Sequence, residues 1–305
     1  MDAPTIRPRR PWLAVFLAFF QPGLGQLYNG QVNRAAWYLL LFLTFASPAV
    51  ALLVVKLPDH WTIVLMLGSL ALSVLVWLVG VLDAFSSARR RREYVPQAWQ
   101  GTGSYLLVWI LAGALALPLL SQYVRKQWVE PFRIPSASME PTLVAGDFIY
   151  ADKRFNCPGC GRKIQRGDVI TFLYPNDHTT SYIKRAIGLP GDRIQIKGQV
   201  VFVNGKPLSA KPVLQNGIMV VREQFEGAEW IAVWKKPEEK LVPVDLLVPP
   251  GQVFVLGDNR NNSNDSRFFG TVPLGDVTGR ARQIWLSYNA TLGGLQLERS
   301  GRLAH

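Results

Sequence analysis

Val200-Val201-Phe202-Val203-Asn204-Gly205-Lys206 is the stretch whose reading decides the fold. Four apolar, strand-favouring residues run into Asn-Gly, the dipeptide that most readily takes the two left-handed positions of a tight hairpin turn. Working outward, Ile194-Gln195-Ile196, Val169-Ile170-Thr171-Phe172-Leu173 and Phe148-Ile149-Tyr150-Ala151 precede it, and Val253-Phe254-Val255-Leu256 follows. Each is short and is bounded by Gly-Asp, Pro-Asn or Asn-Gly turns. Few stretches between Phe132 and Tyr288 show a helical period. A mainly antiparallel β domain is expected over 125–305, built as linked sheets or a partly closed barrel. Within it, 209–249 carries Lys235-Lys236-Pro237-Glu238-Glu239-Lys240 and ends in Val248-Pro249-Pro250-Gly251, and reads as an insertion with mobile, charged connections.

Upstream the pattern changes. Of the 305 residues 49% are hydrophobic, too many for an average soluble protein, and the excess lies in four runs between Pro11 and Tyr123. The runs Ala35–Val55, Trp61–Val81 and Ser104–Tyr123 are each long enough, as helices, to cross a hydrocarbon core of roughly 30 Å. An α-helical membrane region with three to four apolar segments is therefore expected over 1–124. Arg89-Arg90-Arg91-Arg92 is the densest basic cluster, which places that loop in the cytoplasm and everything after the last span on the outer face. The first run, Pro11–Tyr28, is broken by Gln21-Pro22-Gly23-Leu24-Gly25-Gln26. It is read as re-entrant or surface-lying, leaving three spans, with four spans as the alternative. The segment Pro22–Gln31 also resembles small membrane hairpin modules with a Gly-rich turn before a tyrosine. Glycines that permit close helix packing explain it equally well.

The net charge of +12 is spread over both halves without a helix-turn-helix or an interleaved basic and aromatic pattern, so nucleic acid is not expected as a partner. An anionic membrane surface is, with a merely solvated basic surface as the plainer account. The two cysteines stand in Cys157-Pro158-Gly159-Cys160. One such pair is half of a zinc ribbon, so neither a metal nor an organic cofactor is expected. The pair reads as a turn, disulfide-closed or unpaired.

Three further stretches carry chemistry: Pro135-Ser136-Ala137-Ser138-Met139-Glu140-Pro141-Thr142-Leu143, Tyr182-Ile183-Lys184-Arg185-Ala186-Ile187-Gly188-Leu189-Pro190-Gly191-Asp192, and Gly257–Arg267. A serine hydroxyl attacks only if a positioned base takes its proton. The histidines, His60, His178 and His305, sit in no motif with a serine. A lysine serves instead when burial lowers its pKa, and Ile183, Ala186 and Ile187 offer Lys184 apolar surroundings. Activity should then rise with pH as the lysine loses its charge.

With these boxes in this order, from about Phe132 to Ser287, the chain resembles the bacterial type I signal peptidases, Ser-Lys dyad enzymes, with an extra N-terminal multi-span region. The resemblance implies that Ser138 is the acylated nucleophile and Lys184 the general base. It implies an oxyanion hole made by the main-chain N–H of Ser138 and the hydroxyl of Ser136, and a Ser263 that orients the lysine. Asp258, Asp265 and Arg267 would brace the loop, in which Asn261 stands where the family often has aspartate. Phe132, Ile134, Tyr182 and Ile183 would line pockets for small side chains at the first and third positions before the cut, with Met139 reaching the bilayer surface. The function implied is removal of N-terminal signal peptides from exported preproteins by a multi-pass enzyme of the bacterial cytoplasmic membrane, with membrane lipid and secretion machinery as further partners. Maturation of one pilus or conjugation-type substrate and a non-catalytic membrane scaffold are the alternatives.

Overall fold

A computed structural model describes residues 8–46, 59–154, 163–208, 212–236, 242–289 and 293–302. The chain divides into two compact units, Met1–Arg125 and Lys126–His305. Cys157 and Cys160 lie outside the described residues.

The first unit is helical. A helix over Pro11–Phe20 opens with Pro at its first turn, where the missing N–H costs nothing. It stops at Gln21-Pro22-Gly23 and resumes over Leu24–Tyr28, with Gly23 at φ +96°. The expected break is therefore present. Ala14 and Ala18 of the first segment pack on Ala84 and Ala88 of the long helix Asp59–Arg90. At Gly25 an added Cβ would lie 2.7 Å from the Ala84 Cβ and 2.8 Å from the Ala18 Cβ, so the glycine permits the helices to approach. Among the described residues two helices are long and apolar enough to cross a membrane, Leu67–Arg90 and Thr102–Gln127, the latter widening into a π turn over Trp109–Ala116. The run expected over Ala35–Val55 forms a helix over Val32–Ala46, beyond which it passes outside the described residues.

The second unit is antiparallel β. Its main sheet is ordered β1-β2-β14-β3-β4-β12-β13, formed by Val129–Arg133, Asp147–Asp152, Val277–Asn289, Val169–Tyr174, Asp177–Gly188, Gln252–Leu256 and Val272–Pro273, and Gly294–Leu295 (β15) adds to β14. A second sheet, β11-β5-β6-β7, joins Val244–Leu247, Arg193–Lys197, Val200–Val203 and Lys206–Pro207. Its β6–β7 turn is the Asn204-Gly205 hairpin, at φ 53° and 78°. The five strands expected from sequence are β2, β3, β5, β6 and β12.

The stretch read as an insertion contains a third sheet, β10-β9-β8, of Ala228–Trp234, Ile218–Phe225 and Val213–Gln215. Trp230 and Trp234 pack with Ile187, Ile194, Phe254 and Leu256, so this meander shares a core with the strands that carry the chemistry. A second cluster gathers Phe132, Ile134, Met139 and Leu143 with Ile149, Val169, Ile183, Ala281 and Ile284. Residues of β1 and β4, with three strands between them in the sheet order, meet in it because the sheet curls.

Candidate active site

The nucleophile turn is held from inside. Met139 and Leu143 are both fully buried, and the Leu143 N–H donates to the Met139 carbonyl at 2.9 Å. Met139 is therefore a core residue and does not reach a bilayer surface. Ser138, next to it, keeps 8% of its surface exposed.

β4 brings Lys184 to that turn. Lys184 Nζ lies 2.9 Å from Ser138 Oγ and 2.9 Å from the Ile183 carbonyl. Lys184 is 4% exposed, and no carboxylate lies within ion-pair distance among the described residues. Burial, which penalises the charged form, lowers its pKa from 10.5 to about 8, against the raising influence of Asp265 and Asp258 and with some help from Arg267. A neutral amine at this distance accepts a hydroxyl proton. Its neighbour Arg185 has the opposite surroundings. It forks on Asp258 at 2.8 and 2.6 Å, both partners being 1% exposed, and also donates to Thr142 Oγ1 and the Gly167 carbonyl. Thr142 Oγ1 donates to Asp258 Oδ2 at 2.6 Å, tying the nucleophile turn to the 257–267 loop.

That loop is braced as well. Asp265 accepts the Gly257 N–H at 2.9 Å and pairs with Arg267 at 2.7 Å, and Arg267 donates to the Arg260 carbonyl at 2.8 Å. A Cβ on Gly257 would lie 2.6 Å from the Ser138 carbonyl oxygen and collide with Ser263 Oγ, so only glycine allows the two segments this close. Ser263 Oγ is buried and has no hydrogen-bond partner among the described residues. Lys184 Nζ hydrogen-bonds Ser138 and its own neighbouring carbonyl, so the bond expected from Ser263 to the lysine is not formed. Asn261 Oδ1 accepts the Lys236 N–H at 3.3 Å.

Ser136 is exposed, and its Oγ lies 3.3 Å from Ser138 Oγ, on the side open to solvent. Phe132, Ile134 and Ile183 line one apolar cluster beside Met139. Tyr182 instead stacks on Tyr174 at 4.6 Å, and its ring centroid lies 5.4 Å from Lys184 Nζ. β1 is an edge strand, and β12 pairs with β4 only at Arg185, Ala186 and Gly188, leaving Ser181–Lys184 without a partner on that side. Two open strand edges therefore flank the serine. Among the described residues no cluster of His, Cys, Asp and Glu could hold a metal ion.

A serine beside a buried, partly discharged lysine is the chemistry of a Ser-Lys hydrolase, and the family comparison agrees in extent. The family model described as "Signal peptidase, peptidase S26" matches residues 106–286, more than half of the chain. The chain belongs to the signal peptidase family, peptidase S26. It is 33% identical to signal peptidase I of Pseudomonas fluorescens over 250 residues, covering 69% of this chain and 88% of that one. It is likewise 33% identical to signal peptidase I of Rickettsia prowazekii over 195 residues, covering 53% and 74%. A crystal structure of a signal peptidase I from Enterococcus faecalis V583 shares 34% identity and covers 39% of this chain and 97% of that one, with a TM-score of 0.28. As a member of the family the chain is a serine endopeptidase that removes signal peptides.

Sequence reasoning missed Asn259, Glu223 and Arg260. Asn259 lay in view within Gly-Asp-Asn-Arg, a sequence that also reads as an ordinary turn. Glu223 carried no local sign, since its partner Arg260 is 37 residues away.

Proposed function

We propose that Ser138 and Lys184 of this signal peptidase form its catalytic dyad. Lys184 Nζ takes the Ser138 hydroxyl proton as Oγ bonds to the scissile carbonyl carbon. The Ser138 N–H and the Ser136 hydroxyl stabilise the resulting oxyanion. As the C–N bond breaks, Lys184 returns the proton to the leaving amine, and it later takes a proton from the water that hydrolyses the acyl-serine. Asp258 with Arg185, and Asp265 with Arg267, hold the two loops. The observation that carries the reading is the 2.9 Å approach of the amine of a 4%-exposed lysine to the serine hydroxyl.

The substrate lies as an extended strand between the free edges of β1 and β4, by β-augmentation. Phe132, Ile134, Tyr182 and Ile183 admit small side chains at the first and third positions before the cut. The substrates are exported preproteins, and the helices of the first unit anchor the enzyme in the cytoplasmic membrane as a multi-pass protein, with the β unit on the outer face and lipid at hand. The basic cluster after Arg89 supports this orientation.

The test is cleavage of a preprotein carrying an Ala-x-Ala site in lipid-detergent micelles. Cleavage after the second alanine, abolished by both Ser138→Ala and Lys184→Ala, is expected. Undiminished cleavage in either variant would sink the dyad.

A further inference from the structure

We propose that the hairpin of β9 and β10 is part of the catalytic apparatus, because through Glu223 and Arg260 it holds Asn259, which sets the direction of the Ser138 N–H. The proposal rests on the reading of that N–H as an oxyanion donor.

A peptide group is a rigid plane, so the carbonyl of Ala137 and the N–H of Ser138 point in opposite directions from one unit. Fixing the carbonyl fixes the N–H. Asn259 Nδ2 donates to the Ala137 carbonyl at 3.0 Å, and the Asn259 N–H donates to the Ser138 carbonyl at 3.1 Å. One fully buried residue thus pins the peptide planes on both sides of the nucleophile, the Ala137–Ser138 plane through its side chain and the next through its own N–H. An oxyanion donor reaches its full effect only when it is aimed before the charge develops.

Asn259 itself sits in a loop, and β10 supplies what the loop lacks. The Val233 N–H donates to the Asp258 carbonyl at 2.8 Å, and the Arg260 N–H donates to the Val233 carbonyl at 2.9 Å, forming a parallel bridge between Val233 and Asn259. Arg260, 1% exposed, forks on Glu223 at 2.6 and 2.5 Å, and its Nε donates to the Gly257 carbonyl at 3.1 Å. Glu223, 2% exposed, also accepts the Trp230 Nε1 proton at 2.7 Å. At the end of β10, Lys235 pairs with Glu140, two residues beyond the nucleophile. A buried ion pair adds little net stability after desolvation, and fixing register is its best-attested use. Here the register it fixes is that of the residue pinning the Ser138 turn.

The experiment measures kcat, KM and the pH profile of the intact chain on the Ala-x-Ala preprotein, with thermal unfolding as a check on folding. Asn259→Ala should lower kcat on the order of a hundredfold with KM within about twofold. Glu223→Gln, which keeps the volume and removes the charge, should lower kcat about tenfold, and the double variant should be no slower than Asn259→Ala alone. The pH midpoint should stay unchanged, since the surroundings of Lys184 are untouched. Should Glu223→Gln not fold, Trp230→Phe removes the indole donor together with part of a buried ring and is expected to lower kcat about threefold. Undiminished kcat in folded variants, additive losses, or a shifted midpoint would overturn the proposal alone. No cleavage by the unaltered chain would overturn the catalytic reading and this proposal with it.

Discussion

Both units of the chain bury polar groups, but of different kinds. In the helical unit the fully buried ones are amides. Gln26 donates to the Gly80 carbonyl at 2.7 Å and to Asp83 at 3.1 Å, and Asn29 donates to the Ala84 carbonyl at 2.9 Å. Neutral donors on backbone carbonyls hold helices together at small desolvation cost. In the β unit charged groups are buried as well, and Arg185 and Arg260 each find a carboxylate, Asp258 and Glu223. Lys184 is the buried cation left without one among the described residues. Its pKa falls to about 8 in consequence, so that a modest rise in pH turns a structural feature into a base. The comparison teaches that what matters is which buried charge the fold declines to pair.

The largest test is removal of the dyad: Ser138→Ala or Lys184→Ala should lower kcat by on the order of 10⁴-fold or more, read by preprotein cleavage. Next comes a paired charge. Asp258→Ala strands Arg185 and should destabilise the protein by about 3–5 kcal/mol, read as lowered thermal stability. A loss near zero would mean that the buried pairing is not what separates Arg185 from Lys184. The unpaired charge should behave in the opposite sense. A lysine pKa of about 8 in the fold against 10.5 when exposed is a penalty, full below pH 8 and relieved as pH rises towards 10.5. Lys184→Met should therefore raise stability at pH 7 by about 3 kcal/mol. In the unaltered enzyme the same titration should raise kcat roughly tenfold between pH 7 and pH 9, and a flat profile would break the comparison. The smallest effect belongs to the helical unit. Gln26→Leu should cost about 1 kcal/mol and leave kcat unchanged.

Strands were legible where alternation or turn chemistry was strong. β6 and its Asn204-Gly205 turn were read to the residue. β14 was not, because its inward positions include Gly279, Ala281 and Gln283, which carry no apolar alternation. The β9–β10 turn was hidden by Glu226, an unusual residue for φ 51°. Ser138 and Lys184 were legible as motifs and lie together, while the unpartnered Ser263 hydroxyl is a feature no motif could state. The helical break at Pro22 was read, whereas Gln26 and Asn29 were not, since an amide in an apolar run shows nothing of the carbonyl it will meet.

By itself the sequence determined the family, the apolar helical and β halves, and the serine and lysine of the reaction, because these rest on local composition and on ordered short motifs. Only the tertiary structure decided which buried cations are paired, and that the stretch read as an insertion packs on the core and straps the loop behind the nucleophile. Those outcomes depend on contacts such as Glu223 with Arg260 and Asn259 with Ala137, 37 and 122 residues apart, which no local pattern encodes.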